Sequence, residues 1–146
     1  MYFVDRHKIE GILAYMEKLM DEKAESYTSF KEKLLLERLT HLVIESIIDV
    51  GNQMIDGFIM RDPGSYEDII DILTDEKVLP EENTAHYKAF IQLRKSIVQE
   101  YLAVDHDHIE GVWADSKEAV KSFPGRIRRY LDEEIGPVSA FSNANE

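Results

Sequence analysis

Leu39-Thr40-His41-Leu42-Val43-Ile44-Glu45-Ser46-Ile47-Ile48-Asp49-Val50-Gly51-Asn52 decides the fold. Wound as a helix, this stretch is apolar around most of its circumference, and the pattern extends back to Leu35 and on through Met54 to Phe58. A helix this apolar must be enclosed by others. Its polar residues Arg38, His41, Glu45, Asp49, Asn52 and Asp56 gather into about 80° of arc at ~100° per residue. On a central helix such a strip has to face water, a cleft or a partner, because an unpartnered polar group is costly to bury.

The remaining spacing is also helical. Ile9, Ile12, Leu13, Met16, Leu19 and Met20 form an i, i+3, i+4 stripe that predicts a first helix over residues 3–20. Ser26, Thr28 and Ser29 offer caps for the long second helix. Asp62-Pro63-Gly64 ends it, and Ser65-Tyr66-Glu67-Asp68 reads as a capping box opening a short third helix to about residue 73, with a loop over 74–80. A fourth helix is predicted from residue 81 through Phe90, Leu93, Ile97 and Leu102. Asp105 caps a fifth, which Pro124-Gly125 should kink or interrupt before Ile127, Tyr130 and Leu131 resume the pattern. Short connections imply an all-α antiparallel bundle of about five helices: one domain over 1–135, followed by a flexible tail over 136–146.

Composition narrows the function. The chain has 146 residues, 44% hydrophobic and 32% charged, and no cysteine. It is long enough for one real core. Disulfides, thiolate metal sites and cysteine nucleophiles are excluded, and a reducing cytoplasm is the expected setting. Charges at Asp5, Arg6, Lys8 and Glu10 speak against a signal peptide, and no apolar run predicts a membrane span. A net charge of -12 disfavours a general phosphate-binding surface, so any RNA contact should be confined to a local basic pocket.

Arg94-Lys95-Ser96-Ile97-Val98-Gln99-Glu100-Tyr101 supplies such a pocket. On a continuous helix Arg94, Val98 and Tyr101 share one face, with Gln99 toward a neighbouring one. Arginine brings a planar, permanently charged donor fork suited to phosphate, and tyrosine a phenol that can donate, accept or be modified. An arginine paired with an acidic neighbour, beside a tyrosine at a core edge, would look the same in sequence.

This stretch resembles the Arg-x4-6-His-x-Tyr motif of the HepT-like toxins in the HEPN superfamily. The stretch 39–52 resembles that family's long central helix. Pro63-Gly64-Ser65-Tyr66-Glu67-Asp68, followed by Ile72-Leu73, resembles its loop and short third helix. The resemblance implies a homodimer in which the motifs of two protomers form a cleft that cuts RNA without a metal or cofactor. Arg94 would stabilise charge on the phosphate, and Glu45, Asp49, Asn52 and Lys95 would line the cleft. It further implies a minimal nucleotidyltransferase antitoxin as partner, with Tyr101 as acceptor of AMP. Lys95 stands where asparagine is usual, and Gln99 where the catalytic histidine is expected. An imidazole can take or give a proton near neutrality and a carboxamide cannot, so reduced or lost nuclease activity is expected. The other outcome is a non-catalytic dimeric module that keeps the cleft for a nucleotide or a protein.

The remaining candidates are weaker. His106 follows Gln99 by seven residues, about 10 Å along a helix, too far to replace it without chain reversal. Asp105-His106-Asp107-His108 has metal-binding residue types, but 106 and 108 point to different faces of a helix, so a loop leading into a helix accounts for it better and no metal is expected. His7, His41 and His86 read as isolated structural residues. Arg126, Arg128 and Arg129 could contact RNA or an acidic partner, or be balanced by Asp132, Glu133 and Glu134.

Overall fold

Five α-helices and two 3₁₀ turns, with no strand, make up residues 2–136, which are those the computed structural model describes. The helices are α1 (Arg6–Asp21), α2 (Phe30–Gly57), α3 (Tyr66–Asp75), α4 (Thr84–Val98) and α5 (His106–Ile135). The expected all-α bundle is therefore what forms. Apart from Gly136, the expected tail lies outside the described residues.

α2 is the axis of the bundle, touching α1, α3, α4 and α5. Its start is fixed by a complete capping box: the Ser29 hydroxyl accepts from the Glu32 amide at 3.1 Å, and the Glu32 carboxylate accepts from the Ser29 amide at 2.9 Å. Donors from Ser29 and Thr28 hold the Glu32 carboxyl down at about 2. Leu36, Val43, Ile44, Ile47, Val50 and Met54 are fully buried along α2. Gly51 is where α3 comes closest. A Cβ there would sit 2.4 Å from Ile69 Cγ2, so only glycine allows this approach.

Two buried polar links set the register of α4 and α5 in the core. The Tyr87 hydroxyl donates to the Ala119 carbonyl at 2.6 Å. The Trp113 indole donates to Thr40 Oγ1 at 2.8 Å, and Thr40 passes its own proton to the Leu36 carbonyl at 2.7 Å. A buried donor left without a partner costs about 1–3 kcal/mol, so these contacts select one helix register among several that would bury similar apolar area. Phe90 packs edge-on against Trp113 with centroids 4.9 Å apart.

Several expected boundaries move. α1 begins at Arg6, because Asp5 caps it by accepting from the Lys8 amide, and the chain before it donates from the Phe3 amide to the Gly57 carbonyl at the end of α2. Residues 81–83 form a 3₁₀ turn, and α4 starts only at Thr84. α5 runs without interruption through Pro124. The lost backbone donor is offset by a face that stays buried at Val120, Phe123, Pro124, Ile127 and Leu131.

The largest change is at the end of α4. The helix stops at Val98 and the chain turns, with Tyr101–Ala103 forming a second 3₁₀ turn. The buried stripe Phe90, Leu93, Ile97 ends there, and Leu102, read from sequence as its next member, is 92% exposed. No packing supports a longer helix, and Asp105 then opens α5 by accepting from the His108 amide. Arg94 and Tyr101 therefore do not share a helical face.

Candidate functional site: an arginine beside the central polar row

Burial of Phe90, Leu93 and Ile97 turns Arg94 toward the polar strip of α2. Its Nε donates to Glu45 Oε1 at 2.7 Å. Its guanidinium carbon lies 4.8 Å from the centre of the Tyr66 ring, a cation–π stack. Tyr66 opens α3, where Ser65 caps by accepting from the Asp68 amide at 3.0 Å. Asp68 in turn takes Arg61 at 2.8 Å and the Gly64 amide at 2.9 Å, which ties the preceding loop down. Four segments (α2, α3, its leading loop and α4) thus fix one guanidinium.

Only Nε of Arg94 is committed. Among the described residues its two terminal nitrogens make no ion pair, and a quarter of the side chain is open to solvent. The Glu45 hydrogen bond raises the Arg94 pKa further, against the opposing effect of burial, so the group stays charged. An arginine held by one edge, with its other donors free, can take a phosphate or carboxylate oxygen.

The same Glu45 oxygen lies 3.4 Å from His41 Nε2, and His41 Nδ1 is 3.5 Å from Arg38 Nη1. His41 is therefore not the isolated residue the sequence suggests. It sits one helical turn before Glu45, and both it and Arg94 reach one carboxylate oxygen. One turn further on, burial and the neighbouring Glu45 charge push the Asp49 carboxyl up, with Lys8 opposing. Asn52 lines a hollow of about 400 Å³ with Pro63, Gly64, Ser65, Tyr66, Glu67 and Ile69. The strip of α2 is thus partly a solvated face, at Arg38, Asp49 and Asp56, and partly the wall of a candidate site, at His41, Glu45 and Asn52.

The rest of the expected site disperses. Lys95 and Gln99 are exposed, and Tyr101, 66% exposed, stands on the turn after α4. The structure does not bring Tyr101 into contact with Arg94 within one protomer. His106 pairs with Glu37 at 2.7 Å, joining α5 to α2 two turns away from Glu45. The basic run on α5 is largely structural: Arg128 grips Glu10 at 3.0 Å and Glu17 at 2.8 Å, and Arg129 pairs with Glu133 at 3.0 Å. Among the described residues no three His, Asp or Glu side chains gather as a metal site. Likewise, no helix there is long and apolar enough to cross a membrane. Sequence reading missed Tyr66 and His41. His41 had a local signal, since it lies four residues before Glu45 on the strip. The role of Tyr66 depends on how α3 meets α4, which no spacing shows.

The bundle thus presents on α4, beside the polar strip of its central helix, a charged arginine held by one edge. Residues 7–127 match the family described as "Ribonuclease HepT-like", and the chain belongs to that family. The Bacillus subtilis protein named "Putative RNase YutE" is 50% identical over 144 residues, covering 97% of this chain and 99% of that one. A solved structure described as that of a cytosolic protein of unknown function, YutE from Bacillus subtilis, superposes with a TM-score of 0.91 at 49% identity, over 97% of this chain and 100% of that one. A crystal structure described as a toxin-antitoxin with AMP-PNP superposes with a TM-score of 0.65 at 16% identity, over 83% of this chain and 92% of that one, and shares the fold.

The Arg94–Glu45 pair is a quarter to a third exposed, so its coupling should be modest. A double-mutant cycle of Arg94→Ala and Glu45→Ala, read by urea denaturation, is expected to give about 1 kcal/mol of coupling. Strictly additive losses would show that the pair does not hold in solution.

Proposed function

We propose that this chain is a metal-independent ribonuclease of the HepT-like kind that grips one RNA phosphate on Arg94. The free terminal nitrogens of Arg94, backed by Glu45 and Tyr66, carry this reading. The family match and the RNase name of its Bacillus relative support RNA as the substrate class. In a chain of net charge -12 a single fixed cation suits one local phosphate contact rather than a long nucleic-acid track. The exposed Gln99 favours a second reading. An amide cannot move a proton, and losing general acid–base catalysis costs about 10²–10⁴-fold, which would leave a module that binds RNA, a nucleotide or a protein without turnover. Incubation with RNA in chelator separates the two. Cleavage that falls about 10²–10³-fold in Arg94→Ala supports the ribonuclease, by analogy with loss of a charge-stabilising donor. No cleavage by wild type, together with Arg94-dependent nucleotide binding, establishes the binding module instead.

The functional unit is a homodimer whose two sites meet. Support comes from exposed apolar side chains at the end of α4 and on the turn after it, Val98 at 37%, Tyr101 at 66% and Leu102 at 92%, and from Leu34 at 47% on the same side of α2 as Arg38 and His41. Sedimentation should give twice the 16.9 kDa chain mass for wild type and the single mass for Leu102→Asp. A monomeric wild type at micromolar concentration contradicts the dimer.

A minimal nucleotidyltransferase is the proposed partner of a toxin–antitoxin pair, working in the cytoplasm. The fold shared with a toxin-antitoxin structure and the cytosolic description of the YutE structure support this setting. Tyr101 is the proposed AMP acceptor, and its exposure makes the phenol reachable. Adding AMP would place negative charge beside the cleft. After incubation with ATP and a nucleotidyltransferase encoded beside this chain, wild type should gain one AMP unit by mass and Tyr101→Phe none. A gain that persists in Tyr101→Phe assigns the acceptor elsewhere.

A further inference from the structure

The ribonuclease reading leaves one chemical role unfilled, a group that can take a proton next to Arg94. Gln99 is exposed and carries no titratable nitrogen. Among the described histidines, His106 reaches α2 at Glu37, eight residues and about 12 Å along the helix from Glu45. His41 alone reaches the carboxylate that holds Arg94. Its Nε2 and Arg94 Nε meet Glu45 Oε1 at 3.4 and 2.7 Å, so the two nitrogens lie no more than about 6 Å apart. His41 and Arg94 are thus near enough to contact one nucleotide, a phosphate on the terminal nitrogens of Arg94 and the adjoining ribose hydroxyl on the other ring nitrogen of His41, Nδ1.

The partners also assign the tautomer. Nε2 faces a carboxylate, so it carries the proton, and Nδ1 faces a guanidinium, so it keeps its lone pair. The Nδ1 contact is long at 3.5 Å and comes from an exposed Arg38, so a substrate hydroxyl can displace it. Glu45 stands where it would stabilise an imidazolium, as a carboxylate orients a catalytic histidine in other sites. The His41 side chain is 23% exposed, open enough to reach substrate and packed enough to be held.

We propose that His41, on the central helix, is the proton acceptor that stands in for the histidine missing at Gln99. The proposal rests on the ribonuclease reading. Nδ1 of His41 takes the proton of the ribose 2′-hydroxyl while the 2′-oxygen forms a bond to phosphorus. The bond from phosphorus to the 5′-oxygen breaks, its electron pair leaves on that oxygen, and the oxygen takes a proton from water. The products are a 2′,3′-cyclic phosphate and a 5′-hydroxyl, and the imidazolium returns its proton to solvent. Arg94 holds the non-bridging oxygens throughout.

The test uses full-length protein and single-turnover cleavage of RNA in chelator, with RNA affinity measured by fluorescence anisotropy. His41→Gln should cut about 10²-fold more slowly or worse, with affinity within about twofold of wild type. Added imidazole should restore at least about tenfold of the lost rate to His41→Ala, a recovery that a structural role would not give. Wild-type rates in His41→Gln, with cleavage still abolished in Arg94→Ala, overturn the proposal and leave the ribonuclease reading intact. A slow His41→Ala that imidazole does not rescue also overturns it and makes His41 a positioning residue. Failure of wild type itself to cut removes the ribonuclease reading and this proposal together. Circular dichroism of each variant separates these outcomes from misfolding.

Discussion

One carboxylate, Glu45, links the core to the candidate site. α2 is packed by every other helix, so along its middle most positions are apolar and charge is confined to a narrow strip. A charge on that strip must be matched nearby or remain in water. Glu45 is matched by Arg94 from α4, and His41 of its own helix lies 3.4 Å from the same oxygen. The Arg94 guanidinium then stacks on Tyr66 and brings α3 into the same arrangement. Gly51, on the same helix as Glu45, lets Ile69 of α3 pack close, so the packing of the bundle also supports the geometry of the candidate site.

Three other arginines are more fully committed than Arg94. Arg6 is buried and spent on Asp132 and the Gly136 carbonyl. Arg61 serves Asp68, with Asp75 nearby, and Arg128 serves Glu10 and Glu17 with two edges of its fork. An acidic chain absorbs its cations in this way. Arg94, like the exposed Arg129, meets a single oxygen through Nε alone, but Arg94 is also stacked on Tyr66, so its uncommitted terminal donors are held in place. Strong net negative charge and a phosphate site are therefore compatible: the first governs the surface at large, and the second needs only one cation that its neighbours do not saturate.

Much of the fold is legible in the residues because its signals are local. The caps at Ser29, Ser65 and Asp105 are each made by a side chain three residues from the amide it accepts, and all three form. The central helix is legible because its apolar residues outnumber what a surface helix can carry. What failed depended on tertiary contact. Leu102 has the spacing of a core residue, but nothing packs on it, so α4 stops at Val98. Pro124 should break a free helix, yet the buried face on either side keeps α5 intact. At the site, Arg94 and Glu45 were visible as residue types 49 positions apart, but only folding shows that they touch. His41 has its own partners, Glu45 and Arg38, one turn away on α2, and what only folding adds is Arg94 on the same Glu45 oxygen.

The account turns on where an RNA phosphate sits. A crystal structure with a short RNA analogue whose 2′-hydroxyl is replaced by hydrogen at the scissile position holds the substrate uncut. The account predicts a phosphate oxygen about 3 Å from the terminal nitrogens of Arg94, with the modified 2′-carbon facing His41. A phosphate seated on the α5 face at Arg126, or density absent from the α2 strip with the analogue bound elsewhere, would contradict it.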